Sequence, residues 1–125
     1  MDYVEGMMVA ADAELCRATK KQSWCAKGDQ IATASVQHFP MPADWAAETD
    51  VVYVHGLLGL YDQDANTTWY ADAYENARAA LANARDAQGF WSMTWAGGFQ
   101  PVGLLYTQAA NLELFAWLAA TPPPP

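Results

Sequence analysis

Carboxylates are the most abundant reactive groups in this sequence, with 14 acidic side chains against 6 basic ones. Hydrolysis of a glycosidic bond uses two such groups, one on either side of the scissile bond. None of the pairs among Glu5, Glu14, Asp50, Asp62, Asp72 and Glu113 is marked by spacing, or by an apolar setting that would lift one pKa above the other. Asp12 and Glu14 stand two apart and diverge on a helix. No residue is therefore assigned as catalytic.

Other chemistry is sparse. His38 and His55 are the two histidines. His55, inside an apolar run, either lines a pocket or is a hydrogen-bonded core residue. There is no metal motif, phosphate loop or nucleophile elbow, and no cofactor is expected. Cys16 and Cys25 either bridge the facing ends of a helical hairpin or pack as thiols. The stretch from Gln88 to Gly103 sets Phe90, Trp91, Trp95 and Phe99 among glycines. Such rings either stack on the flat C–H faces of sugars or plug the end of a helical stack.

The elements that carry these residues read as helices. The composition is 53% hydrophobic and rich in alanine, which favours helix. At an offset of 45 residues Leu15 falls on Leu60, Trp24 on Trp69, and Cys16 and Cys25 on Tyr61 and Tyr70. A fixed period of this size marks stacked supersecondary units. The spacing predicts helices from about Tyr3 to Ala18, Ser23 to Gln37, Asp50 to Tyr61, Thr68 to Arg85 and Leu104 to Ala119. Ser23 is expected to cap the second, and Asn66 or Thr67 the fourth. Val51 to Val54 has strand propensity, but the repeat assigns it to helix.

Apolar stripes are expected at Tyr3, Met7, Met8, Ala11, Leu15 and Ala18 in the first helix. In the second, Trp24, Gly28, Ile31, Ser35 and Phe39 form the stripe. In the fourth they run through Tyr70, Ala73, Tyr74, Ala77, Leu81 and Ala84, and in the fifth through Leu105, Ala109, Leu112, Phe115, Ala116 and Ala119. Pro40 and Pro42 open a loop. The fold class is thus all-α: stacked helical hairpins over residues 1–121, an arc of an (α/α)6 toroid, followed by a proline-rich tail over 122–125. A net charge of −8 makes nucleic acid an improbable partner. No run is long enough to span a membrane.

Several segments resemble family 76 glycoside hydrolases, which are α-1,6-mannanase-like. Tyr3-Val4-Glu5-Gly6 followed by Glu14-Leu15-Cys16-Arg17-Ala18-Thr19 is similar to Y-N-Q-G and a helix ending E-L-Y-x-A-T-G-D. Tyr53 to Leu57 resembles F-V-R-x-L. Asn76, Asn83 and Arg85 fit N-A-D-x-x-W-x-N-x-R, Thr94 to Gly97 fits the S-W-S/A-G loop, and Gln108 with Leu112 and Glu113 fits the closing helix. The resemblance implies a C-terminal portion of a toroid that hydrolyses α-1,6-linked mannose polysaccharide outside the cell or at its surface. The family's adjacent aspartate pair lies upstream of the Y-N-Q-G segment and has no counterpart here. The implied partners are a polysaccharide or oligosaccharide substrate and the missing N-terminal half of the domain, and this chain alone is expected to be inactive. Its implied contribution is one groove wall, built from Tyr3, Glu5, Tyr53, His55, Trp91, Trp95 and Gln108. Glu5 replaces the family's Gln, His55 its Arg, and Asp50 a common Lys.

Overall fold

A computed structural model describes residues 2–39, 44–98 and 104–125. Among these residues there are five α-helices and no strand: α1 Asp2–Thr19, α2 Gln22–His38, α3 Ala47–Asp64, α4 Thr67–Asn83 and α5 Leu105–Ala120. Pro40, Pro42, Phe99 and Gly103 lie outside the described residues.

Local signals account for several boundaries. Asn66 caps α4, its side-chain oxygen accepting the Thr68 N–H at 3.1 Å, which satisfies one orphan donor of the first turn. Ala65, in the left-handed region at φ 57°, closes α3 by donating its N–H to the Tyr61 carbonyl. Ser23 does not cap α2. Lys21 holds that position without a side-chain bond, and Ser23 is already helical. The Val51 to Val54 run is helical and largely buried within α3, because neighbours on three sides accept its apolar surface all round.

The helices form two layers. α1, α3 and α5 lie side by side and run parallel, while α2 and α4 return antiparallel on one face. The direction follows from the contacts: Asp2 meets Asp50, Gly6 meets Tyr53 and Gly56, and Val9 and Ala13 share a cluster with Leu57 and Leu60. α5 continues the row through Ala110 and Leu114 against Val51, Val54 and Leu58. α2 folds back on α1, with Cys16 and Cys25 joined by a disulfide at a Cα separation of 5.0 Å. In the second hairpin the equivalent positions hold Tyr61 and Tyr70, whose rings lie 5.4 Å apart. A covalent clasp in one unit is thus an aromatic contact in the next.

The α1–α3 contact is close. A Cβ built on Gly6 would strike the Tyr53 Cα, and one on Gly56 would strike the Gly6 carbonyl oxygen. Only glycine permits two backbones to meet in this way. Gly59, one turn on, has nothing within 4 Å of its would-be Cβ.

The stripes predicted for α1 and α5 are rotated from the faces the fold buries, and those of α2 and α4 are met in part. α1 buries Gly6, Val9, Ala13 and Cys16, and leaves Met7 and Met8 about half exposed at 51% and 46%. α2 buries Gly28, Ser35 and Phe39 of its predicted stripe, together with Ala32, with Trp24 and Ile31 half-buried. α4 buries Ala73 and Ala77 of its stripe, and Ala84 just past its end, together with Trp69, Asn76 and Ala80, but leaves Tyr74 and Leu81 in solvent. α5 buries Thr107, Ala110, Asn111 and Leu114, while Leu105 and Leu112 are 83% and 70% exposed. On α1 small side chains won the tight interface over bulkier ones.

Two consequences are measurable. Gly56→Ala should cost at least ~2 kcal/mol or prevent folding, since its methyl group meets backbone that has no room to give, whereas Gly59→Ala should stabilise by roughly 0.5–1 kcal/mol through helix propensity. Urea unfolding of both variants, with equal and same-signed effects, would contradict the assigned packing. Reduction of the Cys16–Cys25 bridge, which closes a loop with a sequence separation of 9, should lower stability by about 2–3 kcal/mol, read as a drop in Tm on adding a reductant.

Candidate functional site

The aromatic segment after α4 is anchored by its own backbone. Arg85 and Trp91 form an isolated antiparallel bridge, and Ala46 and Thr94 another. The Asp86 carboxylate accepts the Gln88 and Phe90 N–H groups at 2.9 and 2.8 Å. Gly97 sits at φ +83°, a conformation L side chains rarely adopt. These turns drive Trp95 fully into the core, where its indole Nε1–H donates to the Asn111 Oδ1 at 3.1 Å. Asn111 in turn donates to the Thr107 carbonyl at 2.8 Å. The Trp91 N–H donates to Gln108 Oε1 at 2.9 Å, and Gln108 Nε2 donates back to the Trp91 carbonyl at 3.0 Å. The Trp91 ring is half-buried between Phe115 and the Arg85 guanidinium.

Three of the expected groove residues, Trp91, Trp95 and Gln108, are therefore brought together as a plug. Trp95 offers no solvent-facing surface, and the Gln108 amide is spent on backbone. Their place in the fold matches the plug reading of this loop.

Glu5 and Tyr53 lie at the other end of the array, near a buried acidic pair; Glu5 is half-buried and lines a cleft of about 730 Å³ between α1 and α2. Asp2 and Asp50 are both fully buried where the N-termini of α1 and α3 come together. Burial pushes the Asp50 carboxyl up to about 10, helped by a hydrogen bond shared with Asp2 and by the charges of Asp2 and Glu48. Two carboxyls that share a site do not readily both ionise, and Asp50 keeps its proton at neutral pH. Asp2 also accepts the Tyr3 N–H at 2.8 Å. The Tyr53 hydroxyl is buried without a protein partner. Burial, then Asp72, Asp2 and Glu5, raise its pKa above the usual phenol range. Burial lifts Asp72 to about 6. The sequence showed no carboxyl with a raised pKa; the fold makes two, because helices distant in sequence enclose them.

His55 lies apart from this group. It projects from the α3 face turned away from α2 and α4, and its ring stacks on Trp117 of α5 at 4.0 Å and 19°. A cleft of about 380 Å³ runs past this pair, lined by Glu14 and Arg17 of α1, Gly59, Asp62 and Gln63 of α3, and Ala120 and Thr121. Glu14 is held below the usual carboxylate range, chiefly by its hydrogen bond from Arg17, and so stays ionised. Tyr3 falls on the same α1 face by helical spacing (3, 7, 10, 14, 17), half-buried near the far end. Trp117, Asp62 and Glu14 were not singled out for this face by the sequence. The one signal that could have found Trp117 is the apolar α5 run in which a ring follows Glu113 by four residues.

Chemically the cleft offers a flat aromatic platform, ionised oxygens and a guanidinium. That set recognises hydroxyl-rich ligands by stacking and hydrogen bonds. It supplies no proton donor of the kind Asp50 is, and Asp50 is sealed from solvent. Among the described residues no group of three or more His, Cys, Asp or Glu is placed to hold a metal ion.

Asp50→Asn provides a test of the acid pair. A carboxyl whose folded pKa lies above its unfolded value stabilises fully at low pH and loses that contribution as pH rises from about 4 towards about 10. The Asn variant keeps a donor to Asp2 without that loss. Its Tm should exceed the parent's by about 5 °C at pH 8 and by almost nothing at pH 4. A margin that does not change with pH would contradict the assignment. Comparison with protein-family models, with curated proteins and with solved structures finds no match to this chain.

Proposed function

We propose that this chain forms one wall of a glycan-binding groove in an α-1,6-mannanase-like helical toroid. The observation that carries the reading is the cleft on the open face of three parallel helices, where His55 and Trp117 stack beside Glu14, Arg17 and Asp62. An arc of such a toroid has this layout, with one helix of each hairpin facing the ligand and the other backing it. Tyr3 and His55, which the family resemblance assigns to the groove, lie on that face. Trp91, Trp95 and Gln108 support it from behind by fixing the loop against α5.

The catalytic acids are proposed to belong to an N-terminal half of the same domain, and the chain alone binds without hydrolysing. The disulfide is in keeping with an oxidising compartment such as the cell exterior. A non-catalytic helical-repeat module that binds glycan or protein is the second reading, and the exposed apolar residues of α1 and α5 favour its protein-binding form.

Titration with α-1,6-linked mannooligosaccharides, followed by intrinsic tryptophan fluorescence, should show saturable binding without release of reducing ends. Trp117→Ala should weaken it roughly tenfold by removing the stacking platform. Binding that is absent, or indifferent to Trp117, sinks the glycan reading, and hydrolysis by this chain sinks the division of labour.

A further inference from the structure

The first hairpin differs from the second at three positions that meet in one place. At the 45-residue offset Cys16, Lys20 and Cys25 fall on Tyr61, Ala65 and Tyr70. The backbone frame is the same in both hairpins. Lys20, at φ 56°, donates its N–H to the Cys16 carbonyl at 2.9 Å, and Ala65, at φ 57°, donates to the Tyr61 carbonyl at 2.8 Å. The second hairpin closes with two rings 5.4 Å apart and an alanine. The frame therefore requires neither a covalent bridge nor a lysine. In the first hairpin these residues add chemistry: a reducible bond beside a cation.

Both groups line a cleft of about 440 Å³ between the hairpin turn and the end of α3, where Gln22, Gln63 and Asp64 complete the wall. That volume lies in the range of small-molecule sites. The Asp64 carboxylate is spent on its own turn, accepting the Asn66 N–H at 2.8 Å and the Trp69 Nε1–H at 2.9 Å. Lys20 is exposed and has no ion-pair partner among the described residues. The two half-cystines are unequal. Cys16 is buried, at 9% exposure, and Cys25 is half-buried. A reagent in the cleft reaches Cys25 first, and access governs thiol–disulfide exchange.

We propose that Cys16 and Cys25 form an exchange-active redox pair for a small anionic thiol of the glutathione class, in which Cys25 carries the mixed disulfide and Cys16 resolves it. In the reducing direction the external thiolate attacks the Cys25 sulfur. A bond forms between them, the Cys16–Cys25 bond breaks, and Cys16 leaves with the electron pair as a thiolate. In the oxidising direction the Cys25 thiolate attacks the external disulfide and expels one thiolate. Cys16 then attacks the Cys25 sulfur, restores the bridge and expels the second. Lys20 receives a carboxylate of the incoming molecule, and the Gln22 and Gln63 amides offer it hydrogen bonds. None of this depends on the glycan reading, and failure to bind mannan leaves it standing.

The oxidised 125-residue chain, exposed to reduced glutathione, quenched in acid and mapped by mass spectrometry, tests the pair. The mixed disulfide should sit on Cys25 at least about tenfold more often than on Cys16. Its rate of formation should not change with urea below the unfolding transition, because the reaction takes place in the folded chain. Lys20→Gln should slow the reaction with glutathione about threefold and leave that with neutral 2-mercaptoethanol unchanged. With glutathione disulfide, Cys16→Ser should hold one glutathione on Cys25, and Cys25→Ser should gain it on Cys16 about tenfold more slowly. The parent needs no substitution, so its mapping stands whatever the serine variants do to folding. Equal labelling of the two sulfurs, no reaction without denaturant, or a Lys20→Gln effect that is the same for both thiols each overturns the proposal.

Discussion

The meeting of the Gly6 backbone with Tyr53 and Gly56 sets the spacing on which the rest of the array depends. With no side chain between them, α1 and α3 approach closely along their N-terminal halves, and the larger Val9, Leu57 and Leu60 fill the widening gap beyond. This close approach fixes the helices parallel and in register. It also brings two helix N-termini together. Each carries partial positive charge, and Asp2 and Asp50 are buried at that junction. Burial at that junction, beside the Asp2 side chain, is why Asp50 keeps its proton.

The other end of the core is held by hydrogen bonds more than by size. Trp95 enters with its one polar atom matched by Asn111, and Gln108 mimics a strand neighbour for the Trp91 backbone. A loop that brings polar backbone to the edge of the core needs such partners, since an unpaired buried amide costs as much as a lost hydrogen bond. α5 contributes Thr107, Asn111 and Gln108 for this purpose. Its interior face is therefore partly polar, and its most apolar face is left for the outside.

That division links architecture to function. The face opposite α2 and α4 collects Glu14, His55, Asp62 and Trp117 from three helices into one cleft. The two ends of the row present apolar surface without a helix to cover it.

All five helices were legible in the sequence to within a few residues, as were the Asn66 cap, the hairpin repeat and a possible bridge between Cys16 and Cys25, because each depends on local propensity or short spacing. The buried face was legible in part for α2 and α4 but not for α1 and α5. In helices rich in alanine and apolar on more than one side, periodicity selects the bulkiest stripe, such as Met8 and Leu15 or Leu105 and Leu112. The fold instead buried Gly6, Val9 and Ala13, because close parallel packing rewards small side chains and counts their fit to a neighbour the sequence does not name. The raised carboxyls and the cleft were hidden for the same reason. Asp2 needs Asp50, and His55 needs Trp117, from helices far apart along the chain. The sequence determined the helices and their order, and tertiary packing decided which of their faces meet, since side-chain fit and shared protons exist only between elements already brought together.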